Sequence, residues 1–317
     1  MRSSIPYGTR STADAVLAGV DLSGKRILVT GCNTGIGFET IRALAAHGAH
    51  IIGLSRSREA AVEACAKVGA TATPVECDLG NLDSVSAAVA TIRNIGGPLD
   101  AIVANAGTMC PKTLEVRYGV ELQFLVNHIG HFLLVNGLLD LVPDRTGRIV
   151  IVSSSASTEF APKEGILFDN LDGHLFYKPF VFYGQSKLAN ALFAKELSRR
   201  LAKRAIAVNS LHPGAVGGTS LQRSLGFPFT LIMPIARPFM KSIAQGAATQ
   251  TLLAASPRVE GISGEYWSDC QVAKGHRLLG DPAIAQRLWS VSESIVATRA
   301  QGGVGPSVPV KPPQSHP

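Results

Sequence analysis

Tyr183 and Lys187 stand four apart in Tyr183-Gly184-Gln185-Ser186-Lys187, inside a stretch whose pattern reads as helix. Four residues is about one turn, so both side chains share a face. A phenol with an ordinary pKa near ~10 is a poor proton shuttle at neutral pH. An ammonium one turn away favours the phenolate, so the spacing predicts a lowered tyrosine pKa and a general acid/base pair. The blander reading is a solvated lysine beside a half-buried tyrosine. On this spacing alone both stay open.

A second set of residues could hold an anionic cofactor. Thr30-Gly31-Cys32-Asn33-Thr34-Gly35-Ile36-Gly37 lies between an apolar run and a segment of helical spacing. Glycines there allow tight turning and close backbone approach, and a helix N-terminus favours a pyrophosphate. Gly31, Asn33, Thr34, Gly35, Ile36 and Gly37 are the candidate contacts. The next strand ends in Leu54-Ser55-Arg56-Ser57-Arg58. It has no acid to bind a ribose 2′-hydroxyl, and Arg56 can grip a 2′-phosphate, so NADP(H) is expected over NAD(H). Arg58 is the reserve candidate. Asp78, followed by Leu79, could accept from an adenine amino group or cap the helix after it. Asn105-Ala106-Gly107 ends a fourth strand with small residues that admit a cofactor.

The elements that must position these groups alternate. Strands are expected at 26–30, 50–54, 73–77, 99–104, 147–152 and 205–211. Helices are expected at 12–18, 38–47, 58–68, 82–95, 116–141 and 182–203. The strands are continuous apolar runs, which indicates a parallel sheet covered on both faces. The fold class is therefore α/β, a single doubly wound Rossmann-type domain. An arm spans 1–20, the domain 21–300, and a Gly/Pro/Ser-rich tail expected to be disordered 301–317.

The 317 residues are 46% hydrophobic and 17% charged, enough for a large core. The formal net charge of +7 suits an anionic ligand, but the basic residues are scattered. A phosphorylated cofactor is thus expected, and nucleic acid is not. Five cysteines, with no Cys-x-x-Cys pair, suggest neither a disulfide framework nor a zinc site, and a reducing compartment fits. The N-terminus has no apolar signal region, and no apolar run is read as reaching the ~18 residues that span a bilayer. A cytoplasmic protein is expected.

Taken in order, Thr30-Gly-x-x-x-Gly-Ile-Gly37, Asn105-Ala-Gly107, Ser154, Tyr183-x-x-x-Lys187 and Pro213-Gly214 resemble the short-chain dehydrogenase/reductase superfamily over roughly residues 20 to 295. Asn127-His-Ile-Gly-His-Phe-Leu-Leu134, Tyr183-Gly-Gln-Ser-Lys-Leu-Ala-Asn190 and Gly264-Glu-Tyr-Trp-Ser-Asp-Cys270 are similar to its retinol-dehydrogenase-like branch. The resemblance implies that Tyr183 exchanges a proton with the substrate oxygen. It implies that Lys187 lowers the tyrosine pKa and bonds the nicotinamide ribose, and that Ser154 holds the substrate oxygen. Asn127 would help carry a proton path through water. Pro213, Gly214 and Val216 would lie beside the nicotinamide, and Thr219, or Ser220, would bind its carboxamide. Ser154 is preferred within the run Ser153-Ser154-Ser155. Relatives pair through two long helices, here near 116–141 and 182–203, so a homodimer is an expected assembly.

Two apolar insertions, about 158–182 and 219–245, flank the expected site and could line a cleft for a lipophilic substrate or pack as core. Arg223, Arg237 and Lys241 beside the second could touch a membrane surface. His128 and His131 share a helix face, but no carboxylate or cysteine has matching spacing, so packing or capping is expected and no metal. Trp267 and Trp289 are assigned to the core. The expected function is an NADP(H)-dependent oxidoreductase interconverting a carbonyl and an alcohol on a lipophilic or polycyclic small molecule. The alternatives are a non-catalytic NADP(H)-binding protein, or the same fold doing double-bond reduction or epimerisation.

Overall fold

The computed structural model describes residues 5–69, 72–217 and 240–299. Thr219 and Ser220, most of the second insertion with Arg223 and Arg237, and the 301–317 tail lie outside the described residues.

A short helix α1 (Ala13–Leu17) opens the order, followed by β1 (Arg26–Thr30), α2 (Gly35–Ala46), β2 (His50–Ser55), α3 (Arg58–Val68), β3 (Ala72–Glu76), α4 (Leu82–Ile95) and β4 (Ala101–Ala104). A hairpin, β5 (Val116–Arg117) and β6 (Val120–Glu121), precedes a composite helix: α5 (Leu122–Phe124), a π-helical turn (Leu125–Ile129) and α6 (Gly130–Leu138). Then come β7 (Arg148–Val152), α7 (Ala156–Glu159), α8 (Pro179–Arg200), β8 (Ala207–His212), α9 (Ile243–Ala255), β9 (Tyr266–Ser268), β10 (Gln271–Val272) and α10 (Pro282–Arg299).

The main sheet runs β10-β9-β8-β7-β4-β1-β2-β3. Every pair from β9 to β3 is parallel, and β10 adds an antiparallel edge. Alternation along the strands explains why both faces are apolar. Leu28, Ile52, Ile102 and Ile149 point to the layer of α4, α6, α8 and α10. Ile27, Val29, Ile51 and Val103 point to the layer of α1, α2, α3 and α9. Ala13, Val16 and Leu17 are fully buried, so the N-terminal arm is part of that second layer.

Several boundaries follow from caps written in the chain. Ser57 accepts from Ala60 N–H to start α3, and Asn81 accepts from Asp83 and Ser84 N–H to start α4. Asn81, not Asp78, is thus the cap of α4. The expected helix from Val116 is corrected: 116–121 form the hairpin, turned by Tyr118 and Gly119, both at positive φ. Leu122–Leu141 is long and apolar enough to cross a bilayer by length and composition, contrary to the reading above, but 67% of that window is buried inside the domain.

Within the same chain, α10 covers part of α6 and α8, the helices through which pairing was expected. Trp289 packs edge-on against Phe132 with centroids 4.9 Å apart, and tilted against Phe193 at 5.8 Å. The Arg200 guanidinium lies 3.9 Å from its ring centroid, and its Nε1 donates to Glu293 Oε1 at 2.8 Å. Trp289→Ala is expected to cost about 3–5 kcal/mol by opening a cavity where α6, α8 and α10 meet. Urea denaturation of the variant checks this, and a loss below about 1 kcal/mol would mean α10 is not part of the cooperative core.

Candidate active site

The carboxyl ends of β1 and β4 part at the topological switch point, where the next connections leave to opposite faces, and a cleft of about 810 Å³ opens there. Gly31, Asn33, Thr34, Gly35, Ile36 and Gly37 line its floor. Gly31 and Gly35 hold φ of 66° and 57°, where a side chain strains the backbone. Gly37 is demanded by packing, because a Cβ there would sit 2.1 Å from Gly31 O. Thr34 does not cap α2 with its side chain, so that helix presents its N-terminus to the cleft.

Arg56, at the end of β2, is exposed, lines the cleft and has no hydrogen bond or ion pair with a described residue. Arg58 does not line it. Asp78 and Leu79 form the next stretch of wall, and Asp78 Oδ1 accepts from Gly80 N–H at 3.0 Å. Asn105, Ala106 and Gly107 line the centre, and Pro213, Gly214 and Val216 the far side. Gly214, at φ 89°, donates its N–H to His212 Nδ1 at 3.0 Å. Val216 bridges to Lys241, and Lys241 pairs with Asp269.

Ser154, Tyr183 and Lys187 share the inner end of the same cleft. The three serines have distinct surroundings. Ser153 is buried and donates to Lys187 O at 2.7 Å, holding α8 to β7. Ser154 Oγ accepts from Ala156 N–H at 3.2 Å and lines the cleft beside Tyr183. Ser155 precedes α7 without capping it. Lys187 Nζ donates to Val152 O at 3.2 Å and lies 5.9 Å from the Tyr183 ring centroid.

The charge balance of this pair differs from the spacing argument. Burial pushes the Tyr183 phenol up to about 12, against the opposing effect of Ser154. Burial also pushes Lys187 down to about 8. The expected lowering of the tyrosine is therefore corrected. Desolvation disfavours the charged form of both groups. The phenol stands protonated at neutral pH, with a lysine close to its own titration.

Asn127 is fully buried on the π turn and does not line the cleft. Its Oδ1 accepts from Thr108 N–H at 2.8 Å, and its Nδ2 donates to Thr108 O at 3.0 Å and Ser186 Oγ at 2.9 Å. Ser186 Oγ in turn donates to Tyr183 O at 2.8 Å. The Asn127 side chain ties the segment after β4 to α8.

Three residues that the sequence reading did not place in the site complete its scaffold. Thr30 Oγ1 accepts from Asn105 N–H and Ala106 N–H, both at 2.9 Å, and meets His131 Nε2 at 2.9 Å. His131 Nδ1 faces Asn127 O at 2.9 Å. A carbonyl only accepts, so Nδ1 carries the proton, and Nε2 receives the Thr30 hydroxyl. Gln250 of α9 donates to Asn105 Oδ1 at 3.2 Å. The available signal was spacing: His131 is four residues after Asn127 on a helix, within reach of its carbonyl. His128 Nε2 meets Ser292 Oγ at 2.8 Å, so the two histidines bond and pack.

Burial pushes His128 down to about 3 and His131 down to about 4. The unfolded chain takes up protons below about pH 6.5 that the folded chain refuses. Their stability contribution is thus complete above that pH and is lost as pH falls toward the folded values. Two such groups contribute up to about 2.7 kcal/mol per pH unit, opposed over the same range by Glu121, whose carboxyl burial pushes up to about 7. Urea titrations of Glu121→Gln between about pH 7 and about pH 5 isolate the histidine share, and a flat profile in that variant would contradict neutral buried histidines.

Residues 25–165 match the family model for short chain dehydrogenase. The chain is 37% identical over 303 residues to the WW domain-containing oxidoreductase of Pongo abelii, covering 92% of this chain and 73% of that one. It is 36% identical over 304 residues to short-chain dehydrogenase TIC 32 B, chloroplastic, of Brassica napus, covering 92% and 94%. It is 36% identical over 297 residues to retinol dehydrogenase 14 of Homo sapiens, covering 87% of each. Among solved structures, an uncharacterized protein from Mycobacterium paratuberculosis superposes with a TM-score of 0.68 at 28% identity, covering 87% of this chain and 95% of that one. The chain therefore belongs to the short-chain dehydrogenase/reductase family of oxidoreductases, in its retinol-dehydrogenase-like branch.

Proposed function

We propose that this chain is an NADP(H)-dependent oxidoreductase that interconverts a carbonyl and an alcohol on a lipophilic small molecule. The observation that carries the reading is one cleft lined by the glycine loop, an uncommitted Arg56, and Ser154, Tyr183 and Lys187. The glycine loop and the N-terminus of α2 would hold the pyrophosphate, and Arg56 a 2′-phosphate. Lys187 and the Pro213-Gly214-Val216 wall would hold the nicotinamide end, whose ring supplies or takes the hydride.

Ser154 and Tyr183 would both hydrogen-bond the substrate oxygen. A phenol pushed up to about 12 is a donor at neutral pH, which suits proton delivery to a carbonyl being reduced. Lys187 as an ammonium would stabilise the phenolate left behind. The surroundings of the phenol support an apolar substrate. Met109, Cys110, Ala156 and Phe180 pack around Tyr183, and Phe160 meets Phe180 with centroids 5.4 Å apart.

Tyr183→Phe is expected to keep NADPH affinity and lose about 10²-fold or more in turnover on a carbonyl panel. Retained turnover would remove Tyr183 from the chemistry. Arg56→Ala is expected to raise KM for NADPH about tenfold or more and leave KM for NADH unchanged. Equal effects on both coenzymes would assign Arg56 no part in the choice. The reduction rate should fall as pH rises through about 8, where Lys187 loses its proton. A rate independent of pH from about 6 to about 9 would show that the lysine charge is not needed.

A further inference from the structure

Two thiols meet beneath the glycine loop. Cys32 lies in the loop itself, and Cys65 on α3. Both are buried, and both face the gap that Gly53 leaves in β2. A Cβ at Gly53 would stand 2.7 Å from Cys65 Sγ and 3.1 Å from Cys32 Sγ. The sulfurs therefore flank a single point.

Their surroundings make them unequal. The neighbouring Cys32 thiol, and after it the Gly53 N–H, lower the Cys65 pKa against the effect of burial. Burial pushes Cys77 and Cys110 up instead. Cys65 is thus the readier thiolate and Cys32 the adjacent resolving thiol.

We propose that Cys32 and Cys65 form a redox couple that a peroxide converts to a disulfide, tying the glycine loop to α3. The Cys65 thiolate attacks one peroxide oxygen, the O–O bond breaks, and the departing hydroxide takes a proton to become water. Cys65 is left as a sulfenic acid. Cys32 gives up its proton and attacks the Cys65 sulfur; the S–O bond breaks and the oxygen leaves as a second water. Two thiols and one hydrogen peroxide become one disulfide and two waters. Cys32 sits between Gly31 and Asn33, so the tether constrains the backbone that would hold the pyrophosphate. That consequence rests on the cofactor reading above; the disulfide itself does not.

The test uses the full chain, reduced, then exposed to hydrogen peroxide, alkylated and digested with trypsin without reductant. Cleavage after Arg26, Arg42, Arg58 and Lys67 releases Cys32 in 27–42 and Cys65 in 59–67, with no other cysteine in either peptide. The expected product is these two peptides joined, lighter than the separate pair by two hydrogens and parted by phosphine. Both peptides alkylated, singly oxidised, or linked to other cysteines would overturn the couple. NADPH affinity, read by fluorescence, should fall about tenfold or more on oxidation, recover on reduction, and stay constant in Cys65→Ser. A joined pair with unchanged affinity overturns the effect on the loop. Reduced wild-type protein that binds no NADPH overturns the cofactor reading instead, while the peptide mass still decides the couple.

Discussion

The hydroxyl of Thr30 has one proton to give, and everything around the site depends on where it goes. Its oxygen already accepts two backbone N–H groups from the end of β4. Its proton therefore has one direction left, into His131 Nε2. That forces the tautomer of His131, which fixes the donor to Asn127 O. From Asn127 the chain continues through Thr108 and Ser186 to the backbone of Tyr183. Each group has a single permitted role, so β1, β4, the π turn and α8 are held in one register before any ligand enters. Networks of this kind, when every member is satisfied, specify a unique arrangement.

The same network explains why His131 must stay neutral. A protonated ring would need an acceptor at Nε2, and the Thr30 oxygen is already occupied by two donors. Burial supplies the neutrality. The π turn then has a physical purpose. It contributes one extra residue where the helix passes the end of β4, turning the Asn127 side chain inward to both Thr108 and Ser186. A regular helix would rotate that side chain by about 100° away from one of its partners.

Much of this was legible in the sequence where a local rule and the tertiary environment agree. β1, α3 and α4 fall on their expected residues because β1 is a continuous buried run and Ser57 and Asn81 announce the helices. Every expected contact of the cofactor region within the described residues lines the cleft, since a doubly wound sheet gathers its loop residues at one edge. The misreadings have local causes. Val116 to Glu121 continues an apolar helical spacing, and only the positive φ at Tyr118 and Gly119 breaks it. The π turn leaves no mark in composition. The roles of Thr30 and Gln250 depend on partners 75 and 145 positions away, which no window of sequence contains.

The tyrosine and lysine show most clearly what spacing can and cannot decide. Four residues on a helix put the two groups on one face, and the structure keeps them there. Spacing carries no information about the medium between them. Here the medium is the interior of the domain, and it moves both groups toward their neutral forms. A phenol that is protonated before anything binds is poised to give a proton rather than take one. A lysine brought down to about 8 can hold its charge at neutral pH but gains more from an anionic neighbour than a solvated lysine would. On the reading proposed above, burial keeps the phenol protonated until a carbonyl oxygen takes its proton, and Lys187 would then offset the charge that burial disfavours. The frame from Thr30 to Ser186 holds the Tyr183 backbone in place, which is the positioning that proton transfer would require.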